Sequence, residues 1–236
     1  MPSKEKLIVA LDVTGLETVE KLIEELSPFV GYFKVGLELL IREGAPKIVQ
    51  IIHRKGARVF LDGKFSDIPN TVARASEAAA SLGVAFFDVH ASCGVEAMRA
   101  AAENKGKSLL LIVTVLTSLL ESETKHIFGQ APKAMVERFA KDALECGADG
   151  IICSPQELEI LNTPAFAKLL KCVPGVRPSW ASLGDQKRVM TPAEAIKRGA
   201  THLIIGRPIT SPPASIGGVK NAAQKILEEM EAALND

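Results

Sequence analysis

The chain has 236 residues, 47% of them hydrophobic and 24% charged, which suits one well-buried core at about the length of a single α/β barrel, typically roughly 250 residues. Lys+Arg and Asp+Glu both total 28, so the formal net charge is zero, and no block of like charge stands out. That balance excludes the basic footprint of a nucleic-acid binder and a cationic membrane-binding patch, so any phosphate chemistry must come from a local site.

The first residues, Met1-Pro2-Ser3-Lys4-Glu5-Lys6, lead straight into a strand over 7–12. That apolar run is too short, and too soon interrupted by Asp12, to be a signal peptide or membrane span. Val19, Leu22, Ile23 and Leu26 then form one stripe at helical spacing. Strands follow over 32–35 and 58–62, the second entered through Gly56-Ala57-Arg58. Pro69 turns the chain, and a helix is expected over 72–81, left through Gly83-Val84-Ala85 into a strand at 86–90. Further strands are expected at 109–115 and, after Gly147-Ala148-Asp149, at 150–153. Ser154-Pro155-Gln156-Glu157 supplies a cap, a first-turn proline and a carboxylate at the third helical position, and Thr191-Pro192-Ala193-Glu194 repeats that grammar. Strands at 171–173 and 202–205 flank that second cap, the last one entered through Gly199-Ala200-Thr201. At each of the four glycine exits, glycine takes the left-handed position after a helix. A final stripe of Val219, Ala223, Ile226, Met230 and Leu234 closes the chain.

Eight short apolar strands alternating with helices predict a parallel sheet covered by helices. A closed (β/α)₈ TIM barrel over 1–236, one domain without a linker, fits best. An open doubly wound sheet is weakened because no G-x-G-x-x-G follows the first strand. The cysteines, Cys93, Cys146, Cys153 and Cys172, form no C-x-x-C pair or secreted-type framework, so a reducing, cytoplasmic setting is expected. The four histidines are scattered, without the H-x-x-x-H spacing of a zinc site.

In such barrels the active site lies at the C-terminal ends of the strands. The polar residues there are Asp12, Lys34, the run Asp62-Gly63-Lys64-Phe65-Ser66-Asp67, Asp88-Val89-His90, Thr114 with Thr117-Ser118, Pro174-Gly175-Val176-Arg177 and Gly206-Arg207. Asp62 and Lys64 are two apart, which on a strand places them on one side. Asp62 follows Val59, Phe60 and Leu61, where an ionised carboxylate is costly unless paired. Lys34 and Lys64 can pair it, and Asp67 can close an alternating Lys34–Asp62–Lys64–Asp67 array. A purely structural ring of ion pairs at the barrel mouth explains the same positions.

The run Phe60-Leu61-Asp62-Gly63-Lys64-Phe65-Ser66-Asp67-Ile68-Pro69-Asn70-Thr71 closely resembles the D-x-K-x-x-D-I-P-N-T signature of orotidine 5′-monophosphate decarboxylases. The resemblance spans the chain through Ala10-Leu11-Asp12, Phe33-Lys34-Val35-Gly36, Leu116-Thr117-Ser118, Pro174-Gly175-Val176-Arg177, Asp185-Gln186-Lys187-Arg188-Val189 and Ile205-Gly206-Arg207-Pro208-Ile209-Thr210. D-x-K-x-x-D alone is shared with sugar-phosphate decarboxylases and synthases of the same superfamily. The I-P-N-T extension together with the Gly206–Thr210 ending is more specific. Ser66 departs from the histidine expected in many relatives, between the key positions.

The resemblance implies decarboxylation of orotidine 5′-monophosphate to UMP in de novo pyrimidine biosynthesis, with no metal and no organic cofactor. Lys64 matches the lysine that protonates C6. Asp62 and Asp67 match the carboxylates that flank the substrate carboxylate, and Lys34 completes the array. Asp67 and Thr71, in the Ile68–Thr71 segment that also supplies Ile68 as a substrate-binding residue, match positions contributed to a neighbour's site across a homodimer interface. Arg207 and the Gly206 amide match the phosphate site, with Arg177 and Gln186 nearby, while Asp12 and Thr117 match ribose and pyrimidine contacts. These residue types suit the reaction. A fixed ammonium beside C6 stabilises developing negative charge and then supplies a proton. Between two carboxylates a lysine keeps its proton and acts as an acid, not a nucleophile. Forked arginine donors suit a phosphate, and glycine lets the backbone approach it.

Several residues have plainer readings. Ser154 reads as a helix cap, Cys146 and Cys153 as packed thiols, and His90 as a hydrogen-bonded structural histidine in preference to a metal ligand beside Asp88. The stretch from Arg177 to Gln186, with Trp180, reads as a mobile phosphate lid. Two other functions compete: a magnesium-dependent sugar-phosphate decarboxylase or synthase on the same barrel, and a catalytically silent phosphate-binding scaffold. Ile68-Pro69-Asn70-Thr71 argues against the first, and the complete Lys34, Asp62, Lys64, Asp67 set against the second.

Overall fold

Short apolar runs, buried on both faces, make the eight parallel strands: β1 (Leu7–Ala10), β2 (Tyr32–Val35), β3 (Arg58–Phe65), β4 (Phe86–His90), β5 (Leu109–Val113), β6 (Gly150–Ile152), β7 (Leu170–Val173) and β8 (His202–Ile205). The computed structural model describes residues 2–182 and 189–235. The strands pair in sequence order, and β1 pairs with β8, so the sheet closes into a barrel and leaves no open edge. The open-sheet alternative is thereby excluded.

Strand periodicity divides the apolar residues into two cores. One phase, including Ile8, Tyr32, Phe60, Phe86, Leu111, Cys172 and Ile204, fills the barrel. The other, including Leu7, Val9, Phe33, Val59, Phe87, Ile112, Val173 and Leu203, packs against the helices. At the N-terminal end Tyr32, Phe86 and His202 stack edge to face, with centroids 4.7 Å (Tyr32–Phe86) and 5.5 Å (Phe86–His202) apart. Burial of His202 pulls its imidazole down to about 4, so this plug is neutral at physiological pH. The barrel is therefore stopped below and can open only at the strands' C-terminal ends.

The helical expectations hold with informative exceptions. Val19, Leu22, Ile23 and Leu26 are the buried face of the helix Leu16–Leu26. In the last helix, Val219–Asn235, Ala223, Ile226 and Met230 are buried, but Leu234 is 44% exposed because the final turn overhangs the core. The helix expected at 72–81 begins earlier, as Pro69–Ser81, since proline is tolerated in a first helical turn. Ser154 and Thr191 cap as expected, each closing a box with the glutamate three residues on. Gly56, Gly83, Gly147 and Gly199 all have positive φ, which explains the shared exit phrase.

β1 and β5 end before Asp12 and Val115, and β3 runs on to Phe65. The pairing of β3 with β4 shifts register between Leu61 and Phe65, so residues 62–64 form a bulge. Lys64 has φ 47, the only positive φ outside glycine among the described residues. A two-residue strand period does not account for the placing of Lys64 beside Asp62; the bulge does. Gly63 leaves space for the Phe65 ring, which a Cβ at that position would meet at 2.6 Å unless the ring shifted.

Candidate active site

Toward the open end the inward phase of the strands turns from apolar to charged. On β2 Lys34 follows Tyr32, on β3 Asp62 follows Phe60, and on β4 Asp88 follows Phe86. Above Phe60 and Ile204 opens a cavity of about 480 Å³, with Asp12, Lys34, Asp62 and Lys64 in its wall and Thr117, Gly175, Arg177, Gly206 and Arg207 further round.

One wall is an alternating chain of charge. The Lys34 ammonium lies 2.8 Å from Asp62 Oδ2 and 3.2 Å from Asp12 Oδ1, and Lys64 Nζ donates to Asp62 Oδ1. Asp62 is 6% exposed and Lys34 8%, so neither charge is well hydrated. Burial alone would neutralise Asp62, but Lys34, then Asp88 and Lys64, outweigh it and hold its carboxyl well below the usual carboxylate range. Burial likewise opposes the charge on Lys34, and Asp62 followed by Asp12 more than restores it, leaving the ammonium pKa raised. Gly36 leaves room for this cluster: a Cβ there would sit 3.0 Å from Asp12 Oδ1 and 3.1 Å from Lys34 Nζ.

At the other side two arginines converge. Arg177 is 8% exposed, and its Nη1 donates to the Val176 carbonyl at 2.9 Å. Burial, followed by the like charge of Arg207, lowers the pKa of Arg177. Two guanidinium groups brought together beside an open cavity form a setting that an anion relieves. The Arg177 N–H bonds the Met190 carbonyl at 2.9 Å, tying the first residue of the expected lid to the chain beyond its last. Gln186 lies outside the described residues, as does all of the Asp185–Val189 run except Val189. Trp180 packs against the main core.

Within a single chain Asp67 does not join the array. It is exposed, its Oδ1 accepts the Ile68 N–H at 2.7 Å, and the charge chain is extended instead by Asp12 at its opposite, Lys34 end. Ile68 and Thr71 are exposed on the same rim. Sequence reasoning did not give Asp88 a place in the site. It is fully buried, and its Oδ1 accepts the Lys64 N–H at 2.7 Å. Its spacing of two after Phe86 was the available signal. Among the described residues no group of three or more His, Cys, Asp or Glu side chains is gathered to hold a metal. All four cysteines are free, and burial pushes each thiol up, Cys93 to about 11.

The model of the orotidine 5′-phosphate decarboxylase / HUMPS family matches residues 5–217. The chain belongs to that family. Orotidine 5′-phosphate decarboxylases are among its relatives along nearly its whole length. The Moorella thermoacetica enzyme is 42% identical over 237 residues, covering 96% of this chain and 94% of the relative. That of Geobacter sp. strain M21 is 44% identical over 236 residues, 96% of each. The crystal structure of orotidine 5′-phosphate decarboxylase from Lactobacillus acidophilus superposes with a TM-score of 0.80 at 32% identity, covering 95% of this chain and 98% of that one. The barrel is thus that of the orotidine 5′-phosphate decarboxylase / HUMPS family, and the chain is an enzyme of the decarboxylase class. No helix among its described residues is long and apolar enough to cross a membrane.

Proposed function

We propose that this enzyme converts orotidine 5′-monophosphate to UMP and CO₂ in pyrimidine biosynthesis in the cytoplasm, without metal or organic cofactor. The observation that carries the reading is a single cavity with an Asp12–Lys34–Asp62–Lys64 charge chain on one side and Arg177 with Arg207 on the other. A nucleotide with a carboxylate on its base has charges at both ends to match.

In this reading Arg207, the Gly206 amide, Arg177 and Gln186 hold the phosphate, and Asp12 and Thr117 contact the ribose and pyrimidine. The C6–carboxylate bond breaks, CO₂ departs, and the electron pair stays on C6. Lys64 stabilises that charge and transfers a proton from Nζ to C6, then regains one from solvent. Asp62 stands beside the departing carboxylate and opposes its ground-state charge, while Lys34 anchors Asp62 in place. Both Asp62 oxygens are engaged by ammonium groups, which supports lysine-based chemistry over divalent-metal ligation.

The site is completed by a second copy of the chain in a homodimer, Asp67 and Thr71 reaching into the neighbour's cavity beside Ile68. The exposure of Leu37 (55%), Ile41 (85%) and Ile68 (66%) supports an apolar twofold contact at this rim. Purified protein should form UMP from orotidine 5′-monophosphate; a folded chain that forms none overturns the reading.

The phosphate assignment has its own test. Binding energy from a non-reacting group can lower the barrier at the reacting one. Losing a charged hydrogen bond costs about 1.5–3 kcal/mol, so Arg207→Ala should lower kcat/KM for the nucleotide by at least about tenfold. The phosphate-free nucleoside, which never meets Arg207, should be far less affected. Equal losses on both substrates would make Arg207 structural.

A further inference from the structure

Asp88 is fully buried on β4, one rung above the register pairs Phe60–Phe86 and Leu61–Phe87, and so beside Asp62 on β3. Its Oδ1 accepts the Lys64 N–H at 2.7 Å. Its Oδ2 is buried with no hydrogen-bond partner, the only such side-chain atom among the described residues. Across the β3–β4 pair its neighbour is the Asp62 carboxylate. Two ionised carboxylates are acceptors only and cannot bond each other, whereas one proton between them makes the bond. Asp62 has an ammonium group on each oxygen, while Asp88 has a single backbone N–H. The proton therefore belongs on Asp88, where it also removes a charge from a fully buried position.

The same side chain holds the one left-handed non-glycine residue of the described chain. Lys64 has φ 47, a conformation that persists only where the surroundings fix it. The Lys64 N–H is directed at Asp88 by the bulge, and the Lys64 ammonium returns to Asp62. Asp88 thus bonds the backbone of the residue whose tip meets the substrate and stands beside the carboxylate that aims that tip.

We propose that Asp88 is a positioning residue: held as the neutral acid, it accepts the Lys64 N–H on one oxygen, donates its own O–H to Asp62, and so fixes the turn that aims Lys64. The burial of Asp88, then the adjacent negative charge of Asp62, raises its carboxyl well above the usual range, in keeping with this arrangement. The inference rests on the assignment of Lys64 as proton donor.

Two measurements test it. Infrared difference spectroscopy of wild type against D88N at neutral pH, without substrate, should show the carbonyl band of a protonated carboxylic acid that the variant lacks. Kinetics should show a split. Asparagine keeps an acceptor for Lys64 and a donor for Asp62, so D88N should retain kcat within about threefold of wild type. D88A keeps neither, and misplacement of a reacting group by about an ångström costs on the order of 10²-fold, which should fall on kcat with little change in KM. Should D88A fail to fold, the infrared band and D88N decide alone. No protonated band in an active wild type, or a D88N loss of the order of 10²-fold, would overturn the proposal and leave the decarboxylase reading standing. A wild type that shows the band but turns over no orotidine 5′-monophosphate would overturn that reading, and the positioning role with it.

Discussion

Replacing Lys64 with alanine should lower kcat by on the order of 10⁴-fold or more, while the protein still folds and binds UMP. General acid catalysis contributes about 10²–10⁴-fold, and a fixed charge-stabilising donor about 10²–10³-fold. Lys64 is assigned both roles, on a reaction that leaves charge on a carbon with no carbonyl placed to spread it. Folding should survive because the Lys64 side chain is 31% exposed, and because Asp62 keeps its 2.8 Å bridge to Lys34 when Lys64 is removed. Removing Lys34 would be different, since one member of a buried pair would be left with weaker compensation. UMP binding should persist because the arginine side of the cavity is untouched. Steady-state kinetics with a UMP titration measure both. A K64A variant within tenfold of the parent rate would refute the assignment of Lys64.

The second large effect is a recovery. K64A and D67A should each be nearly inactive, yet a mixture of the two, under conditions that permit subunit exchange, should regain activity. If Asp67 serves the neighbouring site, a mixed dimer has one site carrying both defects and one site carrying neither. If Asp67 serves its own chain, every site keeps a defect and activity stays absent. The exposure of Asp67, Ile68 and Thr71, and the absence of Asp67 from the charge chain of its own barrel, support the crossed arrangement. Native mass spectrometry of differently tagged subunits verifies exchange. No recovery with exchange verified would refute the shared site, while leaving the chemistry at Lys64 intact.

Much of this architecture was legible in the sequence because its signals are local. Each strand is an apolar run between punctuated helices, and Ser154, Thr191 and the four exit glycines mark boundaries through backbone chemistry that needs no tertiary information. The charge chain was legible in part. Lys34, Asp62 and Lys64 were brought together as expected, since a carboxylate after Val59-Phe60-Leu61 had to find cations. The bulge was not legible, because residues 62–64 read as a strand simply continuing, and only the pairing of Phe65 with Val89 shows the slip. Nor was the position of Asp12 in the charge chain, which depends on β1 lying next to β2 in space. Asp88 was visible as an inward-phase residue, but its dealings with Asp62 arise from two strands meeting at one height. Leu234 kept the helical period of its stripe and still lies outside the core, since period alone does not tell where the core ends.

The central claim is decarboxylation of a pyrimidine nucleotide by side chains alone. Its most direct test follows CO₂ release and UMP formation from orotidine 5′-monophosphate before and after exhaustive treatment with EDTA, with added magnesium as the control. The account predicts turnover at the same rate under all three conditions. Turnover that EDTA abolishes and magnesium restores, or no UMP under any condition from a folded wild-type chain, would contradict it.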